Sequence, residues 1–304
     1  MKLPVKNKKL HIRVKTDQNK NRKAIDPLDP LFWSQEWEKA VKTSSLSRKN
    51  TSPDRWTEYW SHISKSYGTR IQCESKIVDE IVRILLFEKV LTKESEVLDI
   101  GCGPGTFAMP FARFVNHVLA LDPAIKMIDT LREEAQRQGL SNISLLCQRW
   151  EDSLFLKEFD FAFASFSPAI CNAESLLKMH QASRKHCCLI TSSNAENFRV
   201  RNELWERILG EPFHSSTFHI VYPFNYLYAS GFRPQIRFLK NEVCYEEPVD
   251  VVIDRYEHYF RMFIGLNAST QRIIRQYFED LADEGIVKTH EEKAFAIMWW
   301  AVEK

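Results

Sequence analysis

Residues 97–107 read VLDIGCGPGTF, and this stretch decides the fold. Its apolar start predicts a buried strand, and its end predicts the first turn of a helix. Between them, Gly101, Gly103 and Gly105 permit a tight turn and the close approach of a ligand to the backbone. The helix that follows offers free N–H groups and positive potential at its N-terminus. The stretch therefore predicts a cradle for an anionic or polar ligand.

A second acidic residue, Asp122, follows the glycine stretch. Asp122 ends the apolar run His117–Leu121, so its carboxylate lies at the carboxyl end of the neighbouring strand, where it can accept both hydroxyls of a ribose. A dinucleotide would use the same acid. The dinucleotide pattern, however, has Gly or Ala where this chain has Thr106, and Asp99 would repel a pyrophosphate but suits an ammonium. These residues favour a ribose-containing cofactor with an ammonium group over a dinucleotide.

Beyond residue 96, apolar runs of strand length alternate with amphipathic segments of helical length. This alternation predicts an α/β protein, whose parallel sheet is covered on both faces by helices. The segments are Val97–Ile100, Phe107–Phe114, His117–Leu121, Ala124–Gln138, Ile143–Cys147, Phe159–Ser165, Ala173–Arg184 and Cys187–Thr191.

The flanking segments predict further helices and two more strands. Helices are expected at 31–42, 53–66, 74–87, 202–209 and 222–230, and strands at 235–243 and 294–302. Helical patterns at 249–263 and 269–284 separate those two strands. We therefore predict a basic tail (residues 1–30), an N-terminal helical cap (31–90) and a main domain (91–304). Within the main domain, a helical insertion at about 244–290 is a candidate cover for the site.

Composition bounds the class of protein. A chain of 304 residues with 44% hydrophobic residues can bury a large core, which predicts a soluble globular protein. It contains neither a run of about 18 apolar residues nor the apolar segment of a secretory signal, so we expect a cytoplasmic protein without a membrane partner. The seven cysteines form no C-x-x-C pair, and neither a disulfide framework nor a metal site is predicted.

The net charge of +2 is unevenly distributed. Residues 1–23 contain nine Lys or Arg and one Asp. Such a tail could bind the phosphates of a nucleic acid, but the tail has no aromatic residue to stack on a base. A solvated, disordered extension is the favoured interpretation, and nucleic-acid binding stays an alternative.

The motif VLDIGCGPG, with DPAIKMI at residues 122–128, resembles the class I S-adenosylmethionine-dependent methyltransferases of the type 11 kind. The resemblance covers roughly residues 74–192. It implies a Rossmann-like, mostly parallel, seven-stranded sheet with helices on both faces, here with added N-terminal helices and a helical insertion before the last strand. It also implies that the cofactor is S-adenosylmethionine and that its product is S-adenosylhomocysteine.

The resemblance assigns roles along the first two strands. Asp99 would orient the amino group of the methionine moiety, and residues 101–105, including Cys102, would pass beneath the cofactor. Asp122, with Pro123 beside it, would hold the ribose, and Met127 would lie near the adenine.

Four further residues complete the predicted cofactor site. Trp150 could cover the adenine ring, although a Trp after a strand also packs readily into a core. Glu151 or Asp152 would accept a hydrogen bond from the exocyclic amine. Ser165 would lie beside the sulfonium, and Tyr67 belongs to a segment that related enzymes draw across the cofactor.

The methyl acceptor is less constrained. Residues 167–170 read SPAI, which lacks the D/N-P-P-Y/F pattern of related base amino-methylases and counts against base N-methylation. His219 and Tyr222 are candidates for a general base, or they serve a structural role. We predict a small-molecule acceptor; the alternatives are a methyltransferase for RNA or protein, and a non-catalytic protein that binds the cofactor.

Overall fold

The fold is described from a computed structural model, which covers residues 26–48, 51–72, 74–193 and 198–303. Residues 1–25, most of the predicted basic tail, lie outside the described residues. In chain order the elements are α1 (Pro30–Thr43), a 3-10 turn (Ser45–Ser47), α2 (Pro53–Gln72), α3 (Ser75–Phe87), β1 (Glu96–Ile100), α4 (Ala108–Ala112), β2 (His117–Asp122), α5 (Ile125–Arg137), β3 (Ile143–Cys147), β4 (Phe159–Ser165), α6 (Ala173–Ala182), β5 (Ser183–Ser192), α7 (Arg199–Leu209), α8 (Val221–Ala229), β6 (Gln235–Pro248), α9 (Val249–Arg261), α10 (Ala268–Leu281), β7 (Ala282–Asp283) and β8 (Ile286–Ala301).

Local sequence explains where several helices begin and end. Asp29 caps α1 by accepting a hydrogen bond from the Leu31 amide, and proline occupies the first helical position. Asn172 forms a reciprocal capping box with Ser175 at the start of α6. Gly210 ends α7 in the left-handed conformation, with φ of 69°.

The strands form one mostly parallel sheet in the order β3-β2-β1-β4-β5-β8-β6. Strands β1 to β5 are parallel, and β8 runs antiparallel to both β5 and β6. The α/β, Rossmann-like fold class is thus confirmed. The prediction of seven strands misses β7, which pairs with β8 across a two-residue turn. Glu284 and Gly285 both have positive φ in this turn, as a tight hairpin requires.

Strands β6 and β8 are longer than predicted. They pair from Gln235↔Trp299 to Pro248↔Ile286, whereas β5 pairs with β8 only as far as Ser192↔Phe295. Residues 240–248 and 286–294 therefore extend as a two-stranded arm beyond the carboxyl edge of the parallel strands. Both ends of the predicted insertion (about 244–290) are strand, so the helices that follow β6 occupy only residues 249–281. Charged residues in the arm obscured the strand pattern.

Alternate side chains of the central strands form a core on each face of the sheet. In β4, Phe161 and Phe163 pack on one face with α3, α4 and α5, while Ala162 and Ala164 pack on the other with α6 and α8. Each fully buried Phe side chain stabilises the fold by roughly 1.5–3 kcal/mol. A third cluster joins α7, α9 and α10, which we call the outer helices, to the first half of α2.

Helix α1 packs on α8, where the Trp37 indole N–H donates to the Thr217 carbonyl at 2.8 Å. Helix α2 takes a different course, across the carboxyl edge of the sheet. In its first turn Asp54 forms an ion pair with Arg149, just beyond β3, and in its last turn Arg70 pairs with Glu291 of β8 at 3.2 Å. The helix thus spans the sheet from β3 to the arm, above the ends of the strands.

Candidate active site

Glycine occupies the three loop positions for different structural reasons. All have positive φ: 70° at Gly101, 54° at Gly103 and 93° at Gly105. A Cβ on Gly101 would lie 2.1 Å from the Oγ of Ser167, and one on Gly105 would lie 2.3 Å from Leu131. At Gly103, no atom of the described residues lies within 4 Å of that position. Two glycines therefore serve packing, and Gly103 faces open space that a ligand can occupy.

The carboxyl group of Asp99 lacks the partners that burial demands. The residue is 2% exposed, and its Oδ2 has no hydrogen-bond partner among the described residues. Burial, followed by repulsion from Asp122, raises its pKa to about 8, although the Ala108 amide opposes the shift with a hydrogen bond. A positively charged donor would relieve both effects. The ammonium group of a cofactor fits this oxygen in charge and in hydrogen bonding.

Asp122 joins the glycine loop to the start of α5. Its Oδ2 accepts from the Gly103 amide at 3.0 Å, and its Oδ1 accepts from the Ala124 amide at 2.8 Å. Burial raises the pKa of Asp122, while these two amides oppose the rise. Each carboxylate oxygen has a second lone pair, so the side chain can still accept from a pair of hydroxyls.

The neighbouring predicted residues contribute in other ways. Cys102 is 4% exposed, and its Sγ lies 3.5 Å from the Gly103 carbonyl, so the side chain belongs to the core. Met127 is also buried, in the first turn of α5, and Pro123 is half-buried beside Asp122. The Cys102 amide donates to the Leu121 carbonyl at 3.0 Å, and its carbonyl accepts from the Gly105 amide at 3.1 Å, so the backbone of this residue shapes the loop.

Trp150 packs in the core. The ring is 2% exposed, its N–H donates to the Ser175 carbonyl at 3.3 Å, and the ammonium of Lys178 lies 4.8 Å from the ring centroid. Because these contacts leave no open face, they favour the core interpretation over a cover for adenine. The adjacent Glu151 is exposed, and its carbonyl accepts from Lys178.

Tyr67 and Ser165 come from different elements, α2 and β4. Tyr67 is in the last third of α2, where burial raises its pKa to about 12, with added repulsion from Glu74 and Asp122. A Cβ built on the next residue, Gly68, would lie 4.0 Å from the Cβ of Pro104, so α2 crosses directly over the glycine loop. Ser165 is half-buried at the end of β4.

Phe166 is a feature that the sequence reasoning missed. Its φ is 46°, which is strained for a residue of this size. Its amide donates to the Ile190 carbonyl at 2.9 Å, its ring packs against Phe295, and it is still 51% exposed. Strained residues of this kind cluster at functional sites. The left-handed backbone conformation places the Phe166 ring at the mouth of the sheet. No sequence pattern predicts this conformation for a Phe.

The two candidates for a general base occupy different environments. His219 bridges to Ser192 at the end of β5, and its Nδ1 accepts from the Val221 amide at 3.2 Å. A neutral His219 then carries its proton on Nε2, which makes this nitrogen a donor in this arrangement rather than a base. Tyr222 stacks on Trp37, with ring centroids 6.3 Å apart. The Tyr222 side chain thus packs on α1 and is partly exposed.

An aromatic chain links the cradle to the outer helices. Centroid distances are 5.4 Å from Tyr67 to Trp60, 5.2 Å from Trp60 to Tyr59 and 5.8 Å from Tyr59 to Tyr259 of α9. Burial raises the pKa of Tyr59 and of Tyr256, so both hydroxyls stay protonated at neutral pH. The α9 tyrosines were missed, because their periodicity fits core packing equally well.

Comparisons with known proteins found a matching family model and similar sequences and structures. Residues 97–187 match a family model described as a methyltransferase domain. An uncharacterised protein of Haemophilus influenzae is 27% identical over 226 residues, which are 73% of this chain and 81% of that protein. The 23S rRNA (uracil(1939)-C(5))-methyltransferase RlmD of Klebsiella pneumoniae is 32% identical over 84 residues, 28% of this chain but only 19% of the relative.

Among solved structures, a putative methyltransferase from Bacillus halodurans is similar, with a TM-score of 0.47 and 16% identity. The similarity covers 73% of this chain and 98% of that one.

The matched domain, the fold and the cradle together define the class of protein. Residues 97–187 match a methyltransferase domain within a Rossmann-like fold, which supports an S-adenosylmethionine-dependent methyltransferase. Its cofactor is S-adenosylmethionine, and the product form is S-adenosylhomocysteine. Among the described residues, no helix has both the length and the apolar character needed to cross a membrane.

Proposed function

We propose that this methyltransferase acts on a small-molecule acceptor, enclosed between the strand ends, α2 and the outer helices. The observation that carries the proposal is the course of α2 over the glycine loop, from Arg149 beyond β3 to Glu291 in the arm. A helix held at both ends across the site favours a closed chamber over an open groove for a polymer. The aromatic chain from Tyr67 to Tyr259 supplies an apolar wall for such a chamber.

In this proposal the cofactor residues are those of the cradle. Asp99 holds the ammonium, Asp122 accepts from the ribose hydroxyls, and the backbone at Gly103 lies against the cofactor. Met127, Pro123 and Glu151 remain proposed contacts on the adenine side. Ser165 and the strained Phe166 flank the place where methyl donor and acceptor meet.

The cofactor supplies an activated methyl group and a sulfonium that leaves as a thioether. The chain's own task is to hold the acceptor in line with the methyl carbon, and to keep water away. Helix α2 and the outer helices exclude water, while Phe166 presents a ring face at the mouth of β4. In this proposal His219 serves as a hydrogen-bond donor to the acceptor through Nε2, because its Nδ1 already accepts from the Val221 amide.

Calorimetric titration with S-adenosylmethionine and S-adenosylhomocysteine tests the cofactor site. We expect both to bind, and we expect Asp99→Asn to weaken S-adenosylmethionine at least about tenfold, since it removes a charge-assisted hydrogen bond. Asp129→Asn, on the exposed face of α5, is the matched control. An absence of binding at millimolar cofactor would refute the assignment.

Transfer of a labelled methyl group tests the acceptor class. The enzyme is incubated with labelled cofactor and with three fractions of a bacterial extract: small molecules, RNA and protein. Label confined to the small-molecule fraction is the expected result. Label in RNA or protein overturns the proposal, and cofactor binding without transfer to any fraction would indicate a non-catalytic binding protein.

RNA is the second candidate acceptor, because the segment similar to RlmD belongs to an rRNA methyltransferase and residues 1–23 are basic. Deleting residues 1–23 and measuring RNA affinity at two salt concentrations separates the candidates. A tail that binds phosphates makes the affinity steeply salt-dependent, and its deletion flattens the slope. A cytoplasmic location stays a prediction from the sequence.

A further inference from the structure

Three side chains that can bind a metal meet where α2 passes α9. His62 comes from α2, and Asp254 and His258 come from α9. One ligand atom from each lies within 4.8 Å of the others. The His62 Nε2 is 2.5 Å from Asp254 Oδ2, and the His258 Nδ1 is 3.3 Å from Asp254 Oδ1. Spacing of i,i+4 places Asp254 and His258 on one helix face, as in helical metal motifs.

The distances are close to those that a metal ion requires. Bonds from zinc to His nitrogen and to carboxylate oxygen measure about 2.0–2.2 Å, so two ligand atoms at a tetrahedral centre lie about 3.3 Å apart. The two imidazole rings stack with centroids 3.4 Å apart and an interplanar angle of 16°, so the rings must tilt apart for both nitrogens to point at one ion. Side-chain exposures of 37%, 53% and 23% for His62, Asp254 and His258 leave an entry path.

We propose that His62, Asp254 and His258 form a divalent transition-metal site, of the zinc, nickel or cobalt class, that links α2 to α9. Two imidazoles and one carboxylate suit these ions, and water completes the coordination. The three residues belong to α2 and α9, whereas Asp99 and Asp122 belong to β1 and β2, so the role of the site is to fasten α2 over the chamber rather than to take part in methyl transfer. Sequence analysis predicted no metal site, because 192 residues separate His62 from Asp254.

Metal binding must replace existing contacts. The His258 Nδ1 lies 2.9 Å from the Asp254 carbonyl, and its Nε2 lies 3.5 Å from the Arg261 guanidinium. Coordination through Nδ1 therefore moves the ring proton from Nδ1 to Nε2, and Arg261, an exposed side chain, must turn away from that nitrogen.

Cobalt(II) is the probe, because tetrahedral cobalt sites absorb visible light. The full-length chain is treated with chelator, dialysed, and titrated with Co²⁺ and then with Zn²⁺ in the absence of cofactor. We expect one equivalent of Co²⁺ with visible bands that Zn²⁺ abolishes. His62→Ala, Asp254→Asn and His258→Ala should each weaken binding at least about tenfold, as losses of a ligand or its support do.

His290→Ala is the matched control, since His290 is exposed and faces a single carboxylate, Glu242, at 3.8 Å. It should leave the titration unchanged. Circular dichroism of each variant establishes that it is folded, and the three substitutions provide independent tests. Absence of the bands at millimolar Co²⁺ would overturn the proposal, and so would bands that survive both histidine substitutions. Neither result depends on cofactor binding or on the acceptor.

Discussion

The Gly103 amide donates to the Asp122 carboxylate at 3.0 Å, and this bond ties the glycine loop to the carboxyl end of β2. The other carboxylate oxygen accepts from Ala124 at the start of α5. One side chain thus positions both walls of the cofactor site before any ligand arrives. Its role in the fold and its proposed role in binding are therefore coupled.

Asp122→Asn should damage both properties. An amide offers one acceptor oxygen, so either Gly103 or Ala124 loses its partner, which destabilises the fold by about 1–3 kcal/mol. The affinity for S-adenosylhomocysteine should fall as well, because the amide nitrogen cannot accept from a ribose hydroxyl. Urea unfolding and calorimetry measure the two effects, with Asp129→Asn as the control. Unchanged affinity would remove Asp122 from the ribose site.

The buried Asp99 predicts an unusual dependence of stability on pH. Its pKa is raised to about 8, far above that in the unfolded chain, so the folded state holds more protons between pH 4 and pH 8. The stability that this proton gives is complete below the unfolded pKa and is lost as the pH rises towards 8. The melting temperature of the free enzyme should therefore fall from pH 5 to pH 8 relative to that of Asp99→Asn. Parallel curves would contradict the raised pKa.

Cofactor binding should reverse this protonation. In the proposed site the ammonium of S-adenosylmethionine pairs with ionised Asp99, so binding near pH 7 should release a proton from this carboxyl. Titrations in two buffers with different enthalpies of ionisation measure the number of protons released. The wild type should release more protons than Asp99→Asn. Equal release by both proteins would show that Asp99 does not titrate on binding.

Substitutions in the glycine loop should separate effects on packing from effects on cofactor binding. Gly101→Ala forces a Cβ to within 2.1 Å of the Ser167 Oγ, so it should destabilise the fold by about 1–3 kcal/mol. Gly103→Ala meets no clash and should cost only the strain of positive φ, about 1–2 kcal/mol, yet its methyl group enters the space of the cofactor. Thermal unfolding and calorimetry on the two variants distinguish these effects. Ser167→Gly should partly restore Gly101→Ala but not Gly103→Ala.

The predictable part of the site is local in sequence. Asp99, the three glycines and Asp122 lie within 24 residues on adjacent parallel strands, so strand periodicity alone brings them to one edge of the sheet. The core role of Trp150 was harder to foresee. An indole after a strand can cover a ligand or fill a core, and only the neighbours Ser175 and Lys178 decide between them.

The cover over the site was not predictable in detail, because distant pairings build it. Arg70 of α2 meets Glu247 and Glu291 on the arm, which lie more than 170 residues away in the chain. In the sequence these charges indicate a solvated segment, and they therefore hid the last residues of β6 and the first of β8. Buried charges of this kind follow the tertiary structure and not the local pattern.

Glu247 is the centre of that charge network, and its substitution tests how α2 is held. It pairs with Arg70 at 2.6 Å and with Arg255 of α9 at 2.6 and 2.8 Å, and its side chain is 12% exposed. Burial opposes its ionisation, but the two guanidiniums outweigh this and lower the pKa of Glu247. Glu247→Gln leaves both cations underpaired, so it should destabilise the fold by about 3 kcal/mol.

The matched control is Glu242→Gln on the same strand, because Glu242 is 67% exposed and its loss should cost less than about 0.5 kcal/mol. Hydrogen exchange locates the effect. Glu247→Gln should accelerate exchange in the last turns of α2 and in α9, while β1 and β2 stay protected. Exchange that accelerates equally in β1 and β2 would mean that the network supports the whole fold rather than the helix that covers the site.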